Sequence, residues 1–522
     1  MADPTRTTYD EVLYPSHTHS QTHPDRLATI ATLFGMRPAP VDGCRVLELG
    51  CGNGGNLIPM AFGLPTSEFV GIDLAARPLA QGQAAVEALG LKNLSLRQGN
   101  ILEVSADAGP FDYIIAHGIY SWVPPAVREK ILAICRGHLA PQGVAFVSYN
   151  AYPGSHLRDM VRQMMLFHVR GFSDPQERVN QAVALTKFLA ESQTNPDVYR
   201  QFMKDALEEI LEHEEGHLFH DELAEINAPI YFHQFYQHAR RHDLQYLGEA
   251  DYFEMQNHQF TPEVCQALEQ LSNSRIAREQ YLDFLKCRRF RQSLLCHAEV
   301  PLDLTSKPEL LTRFQFSSVA RPVSQAPDIH SATIEQFQGK KAASMETDFP
   351  LAKAAMLILG EVWPQALQFS ELVARSRARL GVRGPLGEAK DDPEARALCE
   401  ILLKSYGTGM VEVHTHAPPY ATQVSQRPVA SPLARWQVQQ GDFVTSQFHI
   451  SIKVEDEIGR YLLSWLDGTL DRKGIMNKLW RLLESKNALV IPDGDETTAR
   501  REVEQQLERN LWKLARLGLL VG

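Results

Sequence analysis

Between residues 44 and 149, short apolar runs alternate with longer amphipathic stretches. "CRVLELG" has a strand pattern, and a helix follows from about Gly55. "EFVGIDL" is a second strand, and "AARPLAQGQAAVEALG" an alanine-rich helix stopped by Gly90. "LSLRQGNI", "FDYIIAHG" and "GVAFVSYNA" continue the series, with the helix "PPAVREKILAICRGHL" before the last. Strands joined by helices of this length predict a parallel sheet with right-handed crossovers.

After Pro153 the period changes, and residues 155–220 read as almost continuous helix. Strand patterns return at 244–255 ("LQYLGEADYFEM") and 288–297 ("RRFRQSLLCH"), after a helix at "YFHQFYQHARRH". The expected order is therefore five parallel strands, a helical insert, a helix and a final strand pair. The first domain would comprise 1–154 and 221–300, interrupted by 155–220. Residues 301–344, rich in proline and serine, read as an extended connector. Residues 345–418 form a middle, winged-helix-like unit from Phe349 onward, and 419–522 a C-terminal helical unit whose first part, 419–445, is linker-like. The fold class expected is α/β: a Rossmann-like sheet with a helical insertion, followed by two small helical or winged-helix-like domains.

Composition narrows the function. A chain of 522 residues implies roughly three domains. The net charge of −11 repels nucleic acid. The most basic run, "KCRRFR" at 286–291, reads as a half-exposed strand, so no nucleic-acid partner is expected. Seven scattered cysteines without CxxC spacing indicate reduced thiols. The N-terminal "MADPTRTTYDEVLYPS" has no signal-peptide character, and no apolar run reaches the ~20 residues of a membrane span. The expectation is a soluble, cytoplasmic protein without a membrane span.

Chemistry begins at the end of the first strand, where "ELGCGNGG" supplies Glu48, Gly50, Cys51, Gly52, Asn53, Gly54 and Gly55. Such a loop serves either a dinucleotide or S-adenosyl-L-methionine (S-adenosylmethionine). An acidic residue just before the glycines disfavours a pyrophosphate and suits an ammonium and a sulfonium. Asp73, followed by Leu74, ends the second strand, where a carboxylate can accept ribose hydroxyls. Asn100 and Ile101 end the third, where an amide can meet the adenine amino group and an apolar side chain its ring. Each has a plainer reading. The glycines can serve a turn, Asp73 can cap a helix, Asn100 can be a turn residue, and Cys51 a small filler. Their succession at consecutive strand ends favours the cofactor.

By these motifs, residues 44–149 resemble class I S-adenosylmethionine-dependent methyltransferases. "YDEVLYPSHTHSQTHPDRLATIATLFG", "FDYIIAHGIYSWVP", "LFHDELAEINAPIYFHQF", "LQYLGEADYF" and "EQYLDFLKCRRFRQSLL" extend the likeness. They resemble bacterial methyltransferases with a methyltransferase regulatory domain, similar in layout to rickettsial enzymes that methylate lysines of outer-membrane proteins. The resemblance implies a helical dimerisation insert, hence a homodimer, and a protein substrate such as an outer-membrane or surface protein.

The acceptor would approach over the ends of strands four and five. His117, Tyr120 and Trp122 follow the fourth; Tyr149, Asn150 and Tyr152 follow the fifth. Aromatic faces hold alkylammonium groups. Trp122, Tyr149, Asn150 and Tyr152 are therefore candidate substrate contacts, and His117, Tyr120 and Tyr14 candidate catalytic groups. His117 is a cofactor contact before it is a base; Tyr120 and Trp122 have a plain core-capping alternative. "AHGIYS" is not the Asn-Pro-Pro-Tyr-like run of enzymes acting on adenine or glutamine amides. Tyr9, Tyr14, His17, His19 and His23 form either a lid or a histidine-rich surface loop. "HEEGH" at 213–217 matches a zinc-protease pattern, but 19 histidines make a chance match credible, and no resident metal is expected. The alternatives to a protein-lysine N-methyltransferase are a small-molecule methyltransferase with accessory domains and a cofactor-retaining regulatory or binding protein.

Overall fold

The computed structural model describes residues 7–105, 108–192, 197–212, 214–305, 307–340, 343–382, 392–418, 420–489 and 495–521. Seven strands make the main sheet: β1 (Arg45–Leu49), β2 (Glu68–Asp73), β3 (Leu94–Gln98), β4 (Phe111–Ala116), β5 (Leu139–Asn150), β6 (Leu244–Glu249) and β7 (Phe290–His297). Their order is β3-β2-β1-β4-β5-β7-β6. The first five pair in parallel, and β7 runs antiparallel to both β5 and β6. The expected five-plus-two arrangement is what forms. Strands covered on both faces need apolar residues on both. Accordingly Val46, Tyr113, Ile115 and Phe146 feed one buried cluster, while Leu47, Ile114, Ala145 and Val147 feed the other.

The insert leaves the end of β5 as helices Ser155–Val169, Pro175–Ser192 and Val198–Glu212. Val161, Met165, Val179, Met203, Ile210 and Phe219 give it a core of its own. The chain returns where Ile230 bridges Ala151, then forms helix Phe232–Arg241 beneath β6.

Two stretches depart from expectation. Residues 301–344, expected as a connector, carry strands β8 (Gln315–Ser317), β9 (Arg321–Pro322), β10 (Glu335–Gln338) and β11 (Ser344–Thr347). β8 is the central strand of a sheet completed by β12 (Leu367–Gln368) and β13 (Glu412–His414). Strands of two to four residues between proline and serine carry too little period to register, yet Phe316 and Phe337 are fully buried. One apolar cluster runs from Val46 under the main sheet through Phe316 to Leu402, so this unit shares the sheet's core. Asp25, on helix Pro24–Leu33, locks the two together, accepting from His414 Nδ1 at 2.8 Å and from the Thr415 and His416 amides. Likewise 419–445 is not linker throughout: it contains helix Pro432–Gln440 and β14 (Phe443–Thr445), which pairs with β15 (Ser451–Lys453). Helices Glu457–Trp465, Arg472–Ser485 and Glu496–Arg516 complete that unit around a separate core.

The basic run also departs from expectation. Lys286 ends helix Arg275–Lys286, Cys287 caps it, and only Phe290 and Arg291 enter β7; Arg288 and Arg291 are buried. Arg291 has no exposed side-chain surface and meets Glu249 at 2.5 Å, Asp283 at 2.9 Å and Glu279 at 3.2 Å. Arg288 adds Asp283 at 3.0 Å. These cations balance buried carboxylates and leave little charge for a polyanion.

Candidate functional site

β1 ends at Leu49, and the chain turns back at Gly50, whose φ is +73°. A Cβ there would also collide with Ile119 beyond β4, so glycine is required twice over. The amides of Gly50 and Cys51 donate to Ile72 O at 2.8 and 3.2 Å, drawing the loop across the end of β2. Gly52 N–H donates to Asp73 Oδ2 at 2.7 Å, and Ala75 N–H to Oδ1 at 2.9 Å. Asn100 Oδ1 accepts from Leu102 N–H at 3.0 Å. Asn100 thus serves its local turn, whereas Asp73 ties the glycine loop to Ala75, the N-cap of the next helix, without bonding an amide inside that helix. These bonds leave the remaining Asp73 lone pairs and the Asn100 NH₂ for a ligand. Leu74 and Ile101 lie beside them, Leu74 on the surface and Ile101 against the core.

Glu48 is the unusual group. It is 4% exposed, inside the sheet. Burial pushes its carboxyl up to about 8, with Asp73 adding to the rise and the Asn56 amide opposing it. Oε1 accepts from Asn56 Nδ2 at 2.8 Å. Oε2 is buried without a hydrogen-bond partner among the described residues. A buried carboxylate oxygen left open marks the seat of a cationic donor.

Residues 7–23 cross over this loop. Ser16 Oγ meets Asn53 Oδ1 at 2.5 Å and leaves no room for a Cβ on Gly55. His19 N–H donates to Asn56 Oδ1 at 3.1 Å. The same oxygen accepts from His449 Nε2–H at 2.8 Å, and Thr18 N–H donates to Ser451 Oγ at 3.0 Å. Further out, Tyr9 stacks on His220 at 4.0 Å, and Tyr14 OH donates to Asp221 at 3.3 Å. The strap is thus held by the glycine loop, the insert and the C-terminal unit together.

The His19 ring lies 3.8 Å from that of His117. Burial lowers His19 to about 4 and holds His117 well below the usual imidazole range, His19 adding to the effect. Both rings are neutral at neutral pH. Ser148 Oγ accepts from Gly118 N–H at 2.8 Å and lies 3.0 Å from His117 Nδ1. So weakly basic an imidazole is better placed as a cofactor contact than as a general base. Tyr14 is held strongly protonated by burial and by Asp221.

Other sequence candidates lie elsewhere. Tyr120 is buried in the sheet core, its hydroxyl 2.5 Å from His238 Nδ1 and its ring on Phe235. Tyr149 stacks on Phe235 at 4.2 Å and bonds Ser293 Oγ. Both were expected at the acceptor; the chain there folds their rings onto the helix-covered face. Asn150 is 5% exposed and donates to Asn227, pinning the returning chain. Tyr152 is half-buried, stacked on His156 at 4.0 Å, and Trp122 is half-buried. Phe290, exposed, places its ring 6.2 Å from that of His117. Of the "HEEGH" run, His213 lies outside the described residues, and Glu214 is the extended cap of a short helix, Glu215–His217. Asn56 and His449 escaped sequence reading. Asn56 lies one residue past the glycines; nothing local marks His449.

Three family descriptions match the chain: "Methyltransferase domain" over 46–143, "Predicted methyltransferase regulatory domain" over 214–297, and "PKMT, C-terminal winged helix domain" over 426–519. Among solved structures, PKMT2 from Rickettsia typhi superposes with a TM-score of 0.87 at 28% identity, covering 98% of this chain and 100% of that one. The same protein in complex with AdoHcy gives 0.86. The fold and loop therefore define an S-adenosylmethionine-dependent methyltransferase. The Rickettsia prowazekii protein RP789 is 31% identical over 509 residues, 96% of this chain and 90% of that one. The chain belongs to its family, methyltransferases that carry the regulatory domain and the PKMT-type winged-helix domain. RP028 of the same organism is 37% identical over 46% of this chain. The open Glu48 oxygen beside the glycine loop fits the cofactor's ammonium.

Proposed function

We propose that this enzyme methylates lysine side chains of a protein substrate. The observation that carries the reading is the likeness to PKMT2 along the whole chain, C-terminal unit included. The cofactor supplies a methyl group on a sulfonium. Glu48 binds its ammonium, Asp73 its ribose hydroxyls, and Asn100 with Ile101 its adenine. Gly50, Cys51, Gly52, Asn53 and Gly54 shape the loop, and Leu74 flanks the ribose. His117 orients the methionine end. Transfer needs an uncharged amine in line with the sulfonium, and positioning supplies much of the rate. Neutral His19 and His117 keep that space free of cationic charge. Phe290, Trp122 and Tyr152 offer aromatic faces toward an alkylammonium.

The test is intact-mass and peptide analysis of candidate proteins incubated with labelled cofactor. Label on lysine supports the reading; label confined to small molecules overturns it. Because the C-terminal unit has its own core, a chain ending at Pro418 should keep the sheet domain folded. At saturating cofactor it should lose far more rate on a protein than on a short lysine peptide, since remote contacts support positioning. Equal losses would assign the unit to stability.

A cytoplasmic site of action fits seven free cysteines, and no described helix is long and apolar enough to cross a membrane. A homodimer through the insert fits Phe167 and Phe188, which stand 66% and 64% exposed there. Light scattering should show a dimer that Phe188→Glu weakens; a monomeric wild type refutes it.

A further inference from the structure

Away from the glycine loop, helix Phe232–Arg241 and the residue after it place His238 and His242 one turn apart. Opposite them, helix Pro125–His138 presents Glu129 from its second turn. Glu129 Oε1 lies 3.0 Å from His238 Nε2, and Oε2 is hydrogen-bonded to His242 Nε2 at 2.9 Å, a contact a metal would replace. The three donor groups fall within 4.8 Å of one another.

We propose that Glu129, His238 and His242 bind one divalent transition-metal ion, zinc being the chemistry that fits. Two imidazoles and a carboxylate make a set zinc accepts, with water in the fourth position. Two observations separate this from ordinary ion pairing. His238 Nε2 is shielded from solvent and, at 3.0 Å from Glu129 Oε1, is too poorly aligned for a good hydrogen bond to it. Its direction misses the carboxylate, as it does when both point to a common centre. The other ring nitrogen, Nδ1, is engaged by the Tyr120 hydroxyl at 2.5 Å. When Nδ1–H donates to Tyr120, Nε2 keeps its lone pair, the outer partner that metal-binding histidines use. Arg128 and Arg241 lie near Tyr120 and oppose a dication, though Arg128 Nε is occupied by Val123 O.

The ion would fasten the helix that restarts the sheet after the insert to the helix that follows β4. Tyr120 adjoins Ile119, which packs on Gly50, so the clamp sits one residue from the cofactor loop.

Full-length enzyme, stripped with a chelator and dialysed, is titrated with zinc by calorimetry, and retained metal is measured by mass spectrometry. Wild type and His330→Gln, a control for the other histidines, should each hold one equivalent. His242→Gln and Glu129→Gln, at partly exposed positions, should weaken binding at least tenfold. Only the intact triad should show a zinc-dependent rise in unfolding temperature. Cobalt(II) should give visible absorption bands in wild type that the two variants lack. Equal affinity in wild type and variants, or no bound zinc and no cobalt spectrum in wild type, overturns the site.

Discussion

Glu48→Ala is expected to lower affinity for S-adenosylmethionine by about 3–5 kcal/mol, the cost of removing one partner from a buried ion pair; that is roughly a hundred- to several-thousand-fold. Asp73→Ala should cost less, roughly 1.5–3 kcal/mol for hydrogen bonds to a charged group. The pH signature is more telling. With the Glu48 carboxyl at about 8, above its ordinary 4.5, the empty enzyme carries it protonated at pH 7. The folded state then binds more protons than the unfolded one, so this group's contribution to stability falls as pH rises from 4.5 through about 8. An arriving ammonium requires the carboxylate, so binding at pH 7 releases a proton and tightens as pH rises toward 8. Calorimetry in buffers of different ionisation enthalpy reads that proton directly. Glu48→Gln should abolish it. Unchanged affinity in Glu48→Ala would sink the assignment.

Arg291→Ala should destabilise the fold by about 3–5 kcal/mol, because it strands buried charge. Glu249, Glu279 and Asp283 share that guanidinium, and each is under 4% exposed. Burial raises Asp283 to about 6 even with Arg291 and Arg288 opposing, so without Arg291 it should take up a proton near neutral pH. Denaturant unfolding should show the loss at pH 7, partly recovered at pH 5 as the carboxyls protonate. A loss under about 1 kcal/mol would show the cluster solvated rather than dry.

The parallel sheet was legible because its strands are apolar on both faces and its helices long. The loop was legible because Glu48, Asp73 and Asn100 fall at successive strand ends. Facing was harder. Tyr120 and Tyr149 lie beside strand ends, but which side of the sheet an aromatic takes depends on what covers it, here Phe235 from beyond the insert. Arg291 read as part of a half-exposed strand because its counter-charges lie outside the run: Glu279 and Asp283 on the preceding helix and Glu249 on β6. His449 reaches Asn56 across 393 positions, and no local pattern encodes such a contact.

That last contact sets an order of assembly. The strap is synthesised long before residues 449–451, yet the Thr18 amide takes its partner from Ser451, and His449 completes the set around Asn56 that Glu48 and His19 begin. The sheet can form around Glu48 long before then. The strap cannot take its final seat until the C-terminal unit has been made and folded, so a chain cut short by early termination carries the glycine loop without its finished cover.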